Sequence, residues 1–182
     1  MTAEEHGEVV LSSEELFKGK LLTLNRDRVR LADGRETIRE VVEHPGAVAV
    51  VPLLPNGRVV LVRQYRHAAG QALLEIPAGT LDQPGESLEA AATRELAEET
   101  GYQAAELREL VTFYTAPGFC TERITLFLAT GLTRGDQSLM DDEAISVEEI
   151  ALADVPDLIA RGTFADAKTL VGLLAAHAQL GG

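Results

Sequence analysis

Apolar and charged residues alternate through residues 21–31, where Val29 and Leu31 interleave with Arg28 and Arg30 before the turn formers Ala32, Asp33 and Gly34. A period of two places such apolar residues on one face of a strand. Residues 8–11 form a second strand-like run, and together these segments predict a small antiparallel sheet within 8–44. Two Val- and Leu-rich runs follow, 47–54 and 58–65, joined by Pro55-Asn56-Gly57. That turn chemistry predicts a hairpin of buried strands. Further short strands are expected at 73–76, 110–114, 124–130 and 146–152, with helices near 154–160 and 166–180. The mixture is α+β, without low-complexity segments or a repeat of 20–50 residues.

One segment changes period. From Leu88 the apolar positions are Leu88, Ala91 and Ala92, a spacing that defines a helical stripe. Ser87 stands where an N-cap is needed, and Gly101 suits the left-handed residue that ends a helix. Glu95, Glu98 and Glu99 continue the stripe: with Glu95 at zero, Glu99 lies about 40° to one side and Glu98 about 60° to the other. Three carboxylates on an inward-facing surface repel one another and lose hydration. A divalent cation with oxygen preference, Mg²⁺ or Mn²⁺, relieves both penalties. The competing reading is a solvated acidic face on which Arg94 neutralises Glu98 four residues on.

Composition narrows the class. With 182 residues and 46% hydrophobic content the chain suffices for one catalytic domain. Sixteen basic against 29 acidic residues give a formal charge of −13, which argues against general nucleic-acid or anionic-membrane binding. An anionic substrate then requires locally placed arginines and metal. The single cysteine, Cys120, excludes an intrachain disulfide and fits a reducing compartment. The N-terminal residues lack a basic region followed by an apolar run, and no stretch reaches about 18 apolar residues, so a cytoplasmic location is expected. His6, His44, His67 and His177 show no zinc-ligand spacing and are read as structural or solvent-facing, and Cys120 as simple packing.

The segment from Gly79 through Glu86, Arg94, Glu95, Glu98, Glu99 and Gly101 resembles the signature of the Nudix hydrolase family. Two departures stand out: six residues rather than five separate Gly79 from Glu86, and Tyr102 occupies a position where an aliphatic residue is commoner. Neither touches an expected metal ligand. Outside the box, the runs 62–66, 74–79 and 43–48 are similar to the ADP-ribose pyrophosphatase branch, as is Pro117, fifteen residues beyond Tyr102. The resemblance covers about residues 8–175.

The resemblance implies a mixed-sheet α/β/α sandwich preceded by an antiparallel β region, divided as residues 1–44, which form dimers, and 45–182, the catalytic domain. It implies Mg²⁺-dependent cleavage of ADP-ribose into AMP and ribose 5-phosphate. Metal ligation is then expected from Glu95 and Glu99, with Glu98 in the same cluster and the Ala78 carbonyl as a further oxygen. Arg94 is expected to orient the glutamates, and Glu86 to anchor the loop. Substrate contacts are expected from Arg66, Glu75, Pro117, Gly118 and Phe119. Phe113, Tyr114 and Phe119 are candidates to stack on an adenine, with core packing an equal reading for Phe113. The general base is expected in an acidic loop downstream, Glu143 first and Asp141 in reserve. A homodimer is implied, its N-terminal strands completing the partner's substrate site. Open alternatives are another nucleoside-diphosphate derivative, namely GDP-mannose, a flavin dinucleotide or a dinucleoside polyphosphate, and a non-catalytic nucleotide sensor.

Overall fold

The small antiparallel sheet expected within 8–44 forms, and the computed structural model, which describes residues 7–139 and 144–180, gives it three strands. They are β1 (Glu8–Lys18), β2 (Thr23–Leu31) and β3 (Glu36–Glu43), paired antiparallel in the order β1-β2-β3. The turn from β2 to β3 uses Gly34 at φ +86°, and Asp33 accepts from the Arg35 backbone N–H at 3.1 Å. The sequence reading did not single out β3. Its periodicity is inverted by an exposed Ile38 beside a half-buried Arg39, which is held by the Glu8 carboxylate. Residues up to Gly46 form one compact unit with Tyr114–Arg123. Val42 joins the two stretches, donating to Phe119 O at 2.7 Å and accepting from Thr121 N at 2.9 Å.

The second unit, Ala47–Phe113 with Ile124–Gly182, begins with β4 (Ala47–Pro52), β5 (Arg58–Arg66), β6 (Gln71–Glu75) and β7 (Ala78–Thr80). Helix α1 (Leu88–Thr100) follows, then β8 (Tyr102–Gln103), β9 (Glu106–Tyr114), β10 (Arg123–Thr130), β11 (Thr133–Arg134) and β12 (Ile145–Ala151). The short α2 (Val155–Ala160) and the longer α3 (Ala167–Leu180) close the chain. A mixed sheet runs β7-β4-β10-β9, with β4 parallel to β10, and an antiparallel sheet runs β12-β5-β6. β8 and β11 make a separate two-stranded pair.

The expected hairpin of 47–54 with 58–65 does not form. Its turn is present, with Leu54 N donating to Arg58 O at 2.8 Å, and a lone bridge joins Leu53 to Val59. Beyond that bridge the strands enter different sheets: β4 lies between β7 and β10, and β5 between β6 and β12. All of β4 and residues 59–62 of β5 are buried on both faces, so each needs hydrogen-bonding neighbours and a hydrophobic layer on either side.

Alternation within these strands builds two cores. Val48, Val50, Val60, Phe127 and Ala129 point one way and pack with Ala91, Ala92 and Leu96 of α1. Ala49, Val51, Leu61, Leu126 and Leu128 point the other way and pack with Leu173 and Ala176 of α3. This is an α/β/α sandwich. A side chain at Gly172 would sit 2.9 Å from Ile76 Cδ1 and 3.0 Å from Val51 Cγ2, so glycine there lets α3 approach the sheet closely.

Candidate active site

Helix α1 begins as its sequence dictates: Ser87 is extended and its side chain accepts from Ala90 N at 3.2 Å. It ends at Gly101 with φ +74°, whose N–H donates to Ala97 O. Three further carbonyls at this end accept from residues 135–138. Gly135 N donates to Gly101 O at 2.6 Å, Ser138 N to Glu98 O at 3.1 Å, and the Gln137 side-chain amide to Glu99 O. Capped at both ends, the last two turns of α1 hold their glutamates on a fixed frame.

Those glutamates occupy unlike environments. Glu99 is 3% exposed and accepts from Ala78 N at 3.0 Å, tying the helix to β7. Glu95 lies against Gly79 so closely that an added Cβ would fall 1.8 Å from its carboxylate carbon. Glu98 is the most open. Arg94 organises the group: Nε and Nη2 bind the two oxygens of Glu86, each at 3.0 Å, and Nη1 reaches Glu95 at 2.6 Å and Glu98 at 3.0 Å. These bonds, Glu86 foremost, raise the already high pKa of the guanidinium, and the same contact holds the Glu86 carboxyl below its ordinary range. The neutralisation of Glu98 by Arg94 anticipated from sequence is therefore present, extended to Glu95 and Glu86.

Ala78, Gly79, Arg94, Glu95, Glu98 and Glu99 line one cavity of about 490 Å³. Its wall also carries Arg66 and Gln64 of β5, Asp82 and Gln83 of the loop before α1, and Ser138 with Leu139. Carboxylate oxygens are the donors that hard divalent cations prefer, and Gly79 gives one of them clearance, so the donor set fits Mg²⁺ or Mn²⁺. Among the described residues, no three acidic, histidine or cysteine side chains are gathered into ligating geometry. Arg94 spreads its charge among Glu86, Glu95 and Glu98 instead.

Arg66 is, beside Arg94, a second cation lining this cavity, and it rests on Glu75. The Glu75 carboxylate, 1% exposed, accepts from Arg66 Nε at 3.0 and 3.2 Å and from Nη2 at 2.8 Å. Glu75 itself does not line the cavity. Burial alone would push its carboxyl up, but the Arg66 hydrogen bonds and the charge of Lys168 outweigh this and hold it below its ordinary value. Lys168 Nζ also meets Asp166 at 3.0 Å, and Asp166 accepts from the backbone N and hydroxyl of Thr169 at 3.0 and 2.6 Å, capping α3. Sequence reasoning missed Lys168 and Thr169. Asp166 in front of a helical run was a readable capping signal, whereas nothing local marks a lysine whose partner is 93 residues away.

Pro117, Gly118 and Phe119 belong to the first unit, where they line a cavity of about 510 Å³ with Tyr114, Cys120 and Arg39. Phe119 and Tyr114 are 59% and 54% exposed, and Arg123 lies over the Tyr114 ring at 5.6 Å. Phe113 packs on the core of its own unit. His44 Nδ1 accepts from Gly46 N at 3.1 Å, and Cys120 Sγ accepts from Glu122 N at 3.4 Å, both local structural contacts. Glu143, Asp141 and His6 lie outside the described residues. No helix among the described residues is long and apolar enough to cross a membrane.

Residues 43–171 match the model of the NUDIX domain, and residues 8–42 match that of the nucleoside diphosphate sugar hydrolase N-terminal domain. The chain is 42% identical over 176 residues to an ADP-ribose pyrophosphatase of Mycobacterium tuberculosis, covering 96% of this chain and 85% of that protein. It is 40% identical over 164 residues to an ADP-ribose pyrophosphatase of Bacillus subtilis strain 168, covering 89% and 88%. A solved structure described as an ADP compounds hydrolase superposes with a TM-score of 0.85 at 25% identity, covering 96% of this chain and 94% of that one.

Proposed function

Because this chain belongs to the Nudix hydrolase family, we propose that it cleaves the diphosphate bond of ADP-ribose, giving AMP and ribose 5-phosphate. One observation carries the reading: a single cavity has the Arg66 guanidinium and the carboxylates of Glu95, Glu98 and Glu99 on its walls. A diphosphate is an anion that needs a cationic clamp and, at its reacting phosphorus, further neutralisation. Glu95 and Glu99, with Glu98 and the Ala78 carbonyl, are the residues that would hold Mg²⁺ or Mn²⁺. A bound divalent ion supplies charge neutralisation and lowers the pKa of a water.

The chain's own residues do the rest. Arg66 binds a phosphate oxygen with the edge of its guanidinium that Glu75 leaves open. Arg94 acts as a positioning residue, keeping Glu95 and Glu98 turned toward the cavity. Glu143 takes the proton of the attacking water, and Asp141 is the reserve. Pro117, Gly118 and Phe119 contribute to the nucleoside end.

Residues 1–44 form the dimerising region and 45–182 the catalytic domain, a division supported by family models that meet between residues 42 and 43. A homodimer is supported by the apolar surface of the N-terminal sheet, where Val9, Val10 and Phe17 are each more than half exposed. The single cysteine supports a reducing, cytoplasmic setting.

The test is incubation of the purified chain with Mg²⁺ and a panel of ADP-ribose, GDP-mannose, a flavin dinucleotide and a dinucleoside polyphosphate. Preferential release of AMP from ADP-ribose is expected. Preference for GDP-mannose overturns the substrate, and no turnover of any member leaves a nucleotide sensor. Glu143→Gln should lower turnover by roughly 10²–10⁴-fold with metal affinity nearly unchanged; near-normal turnover removes Glu143 from the mechanism.

A further inference from the structure

A clamp made of Arg66 and Glu75 alone would be neutral. Glu75 sits against Arg66 within hydrogen-bond distance and is 1% exposed, so its charge acts on the guanidinium at short range and offsets much of it. An arginine so neutralised attracts a phosphate weakly. The second cation on the same carboxylate changes this balance. Lys168 is 9% exposed and bonds the Oε2 atom that Arg66 Nη2 also contacts.

Lys168 would in turn be cancelled by Asp166, but that carboxylate has a neutralising partner of its own. It caps the 14-residue helix α3, accepting from Thr169 N, where the aligned peptide dipoles present partial positive charge. The charges therefore run in sequence from the helix terminus to Asp166, Lys168, Glu75 and Arg66. At the far end Arg66 keeps its positive charge at the cavity wall, where Glu99 also acts on it, and it donates from Nε and Nη2 to Glu75. Thr169 fixes the other side of the brace, its hydroxyl accepting from Ile76 N at 3.0 Å. The start of α3 is thereby bonded to the residue next to Glu75.

From this geometry we infer that Lys168 is a positioning residue for anion binding: it compensates and orients Glu75 so that Arg66 is presented, still cationic, to a diphosphate in the cavity. The inference rests on Arg66 being the phosphate clamp of the proposed function, but not on the identity of the nucleoside.

Binding of inorganic diphosphate, measured by calorimetry on the full chain, tests it without turnover. Lys168→Met keeps the length of the side chain and removes the charge; affinity is expected to fall about 10-fold, the scale of one hydrogen bond to a charged group. With ADP-ribose the same variant should raise KM by a similar factor while kcat changes less than about 3-fold, a split that general loosening of the fold would not produce. Unchanged diphosphate affinity in a folded Lys168→Met overturns the inference. Should that variant not fold, Glu75→Gln is compared with Glu75→Gln/Lys168→Met, which leaves Glu75 uncharged in both. Lys168 acts through Glu75, so the two should bind alike, and a further loss beyond about 3-fold in the double variant overturns the inference. Failure of the wild type to hydrolyse ADP-ribose while still binding diphosphate would remove the proposed function and leave this inference standing.

Discussion

Replacing Gly79 with alanine should disable the site while leaving the fold. The backbone at Gly79 is not left-handed, so alanine introduces no strain of that kind. Its Cβ would instead fall 1.8 Å from Glu95 Cδ and 1.9 Å from Oε1. Carbon atoms settle at about 3.5 Å, so the Glu95 carboxylate must retreat by about 1.7 Å. Doing so stretches or breaks its 2.6 Å bond to Arg94 Nη1. Glu95 is a flexible side chain at a cavity wall, so the overpacking is relieved by rotation and stability should fall by no more than about 1–3 kcal/mol. Catalytic geometry is less forgiving: a displacement of about 1 Å can lower a rate 10²-fold, and a larger loss of Mg²⁺-dependent turnover is expected here. AMP release from ADP-ribose at saturating Mg²⁺, with circular dichroism to verify folding, measures it. Turnover within about 3-fold of wild type would refute the assignment of Glu95 to the metal site.

Glu75 and Asp166 both have carboxyl pKa values held below their ordinary ones in the folded chain, so their stabilisation is complete above the unfolded values and is lost as pH falls through the folded ones. Urea midpoints should accordingly drop on acidification below about pH 4–5, with a shallower drop in Glu75→Gln. Gly101→Ala combines φ +74° with a Cβ placed 2.9 Å from Gly135 O and 3.0 Å from Gln137 N. It should lower Tm by at least about 4 °C, and more than Gly34→Ala, where an added Cβ meets nothing within 4 Å. Sedimentation equilibrium should give twice the 19.5 kDa chain mass, reduced toward one chain by Phe17→Asp; a wild-type monomer at working concentration removes the dimer.

Local chemistry explains how much of this molecule was readable from its residues. Helix α1 was legible from end to end because its cap at Ser87, its stop at Gly101 and its stripe of Leu88, Ala91 and Ala92 are short-range requirements. The gathering of Glu95, Glu98 and Glu99 at one wall followed from helical spacing, and the family resemblance rested on that same segment. The burial of β4 and β5 followed from their apolar runs, but their pairing did not. A strand buried on both faces gives no local sign of its neighbours, so Pro55-Asn56-Gly57 spoke for a hairpin that the sheets divide.

Beyond the Arg94–Glu98 pair that helical spacing already implies, only the tertiary structure decided which cations meet which carboxylates. Arg94 serves Glu86 across eight residues, and Glu75 receives Arg66 from nine residues before it and Lys168 from 93 residues after it. Such pairs form when sheets and helices bring distant positions to one place. Low dielectric there makes an unpaired charge costly, and that cost selects partners which no sequence period records.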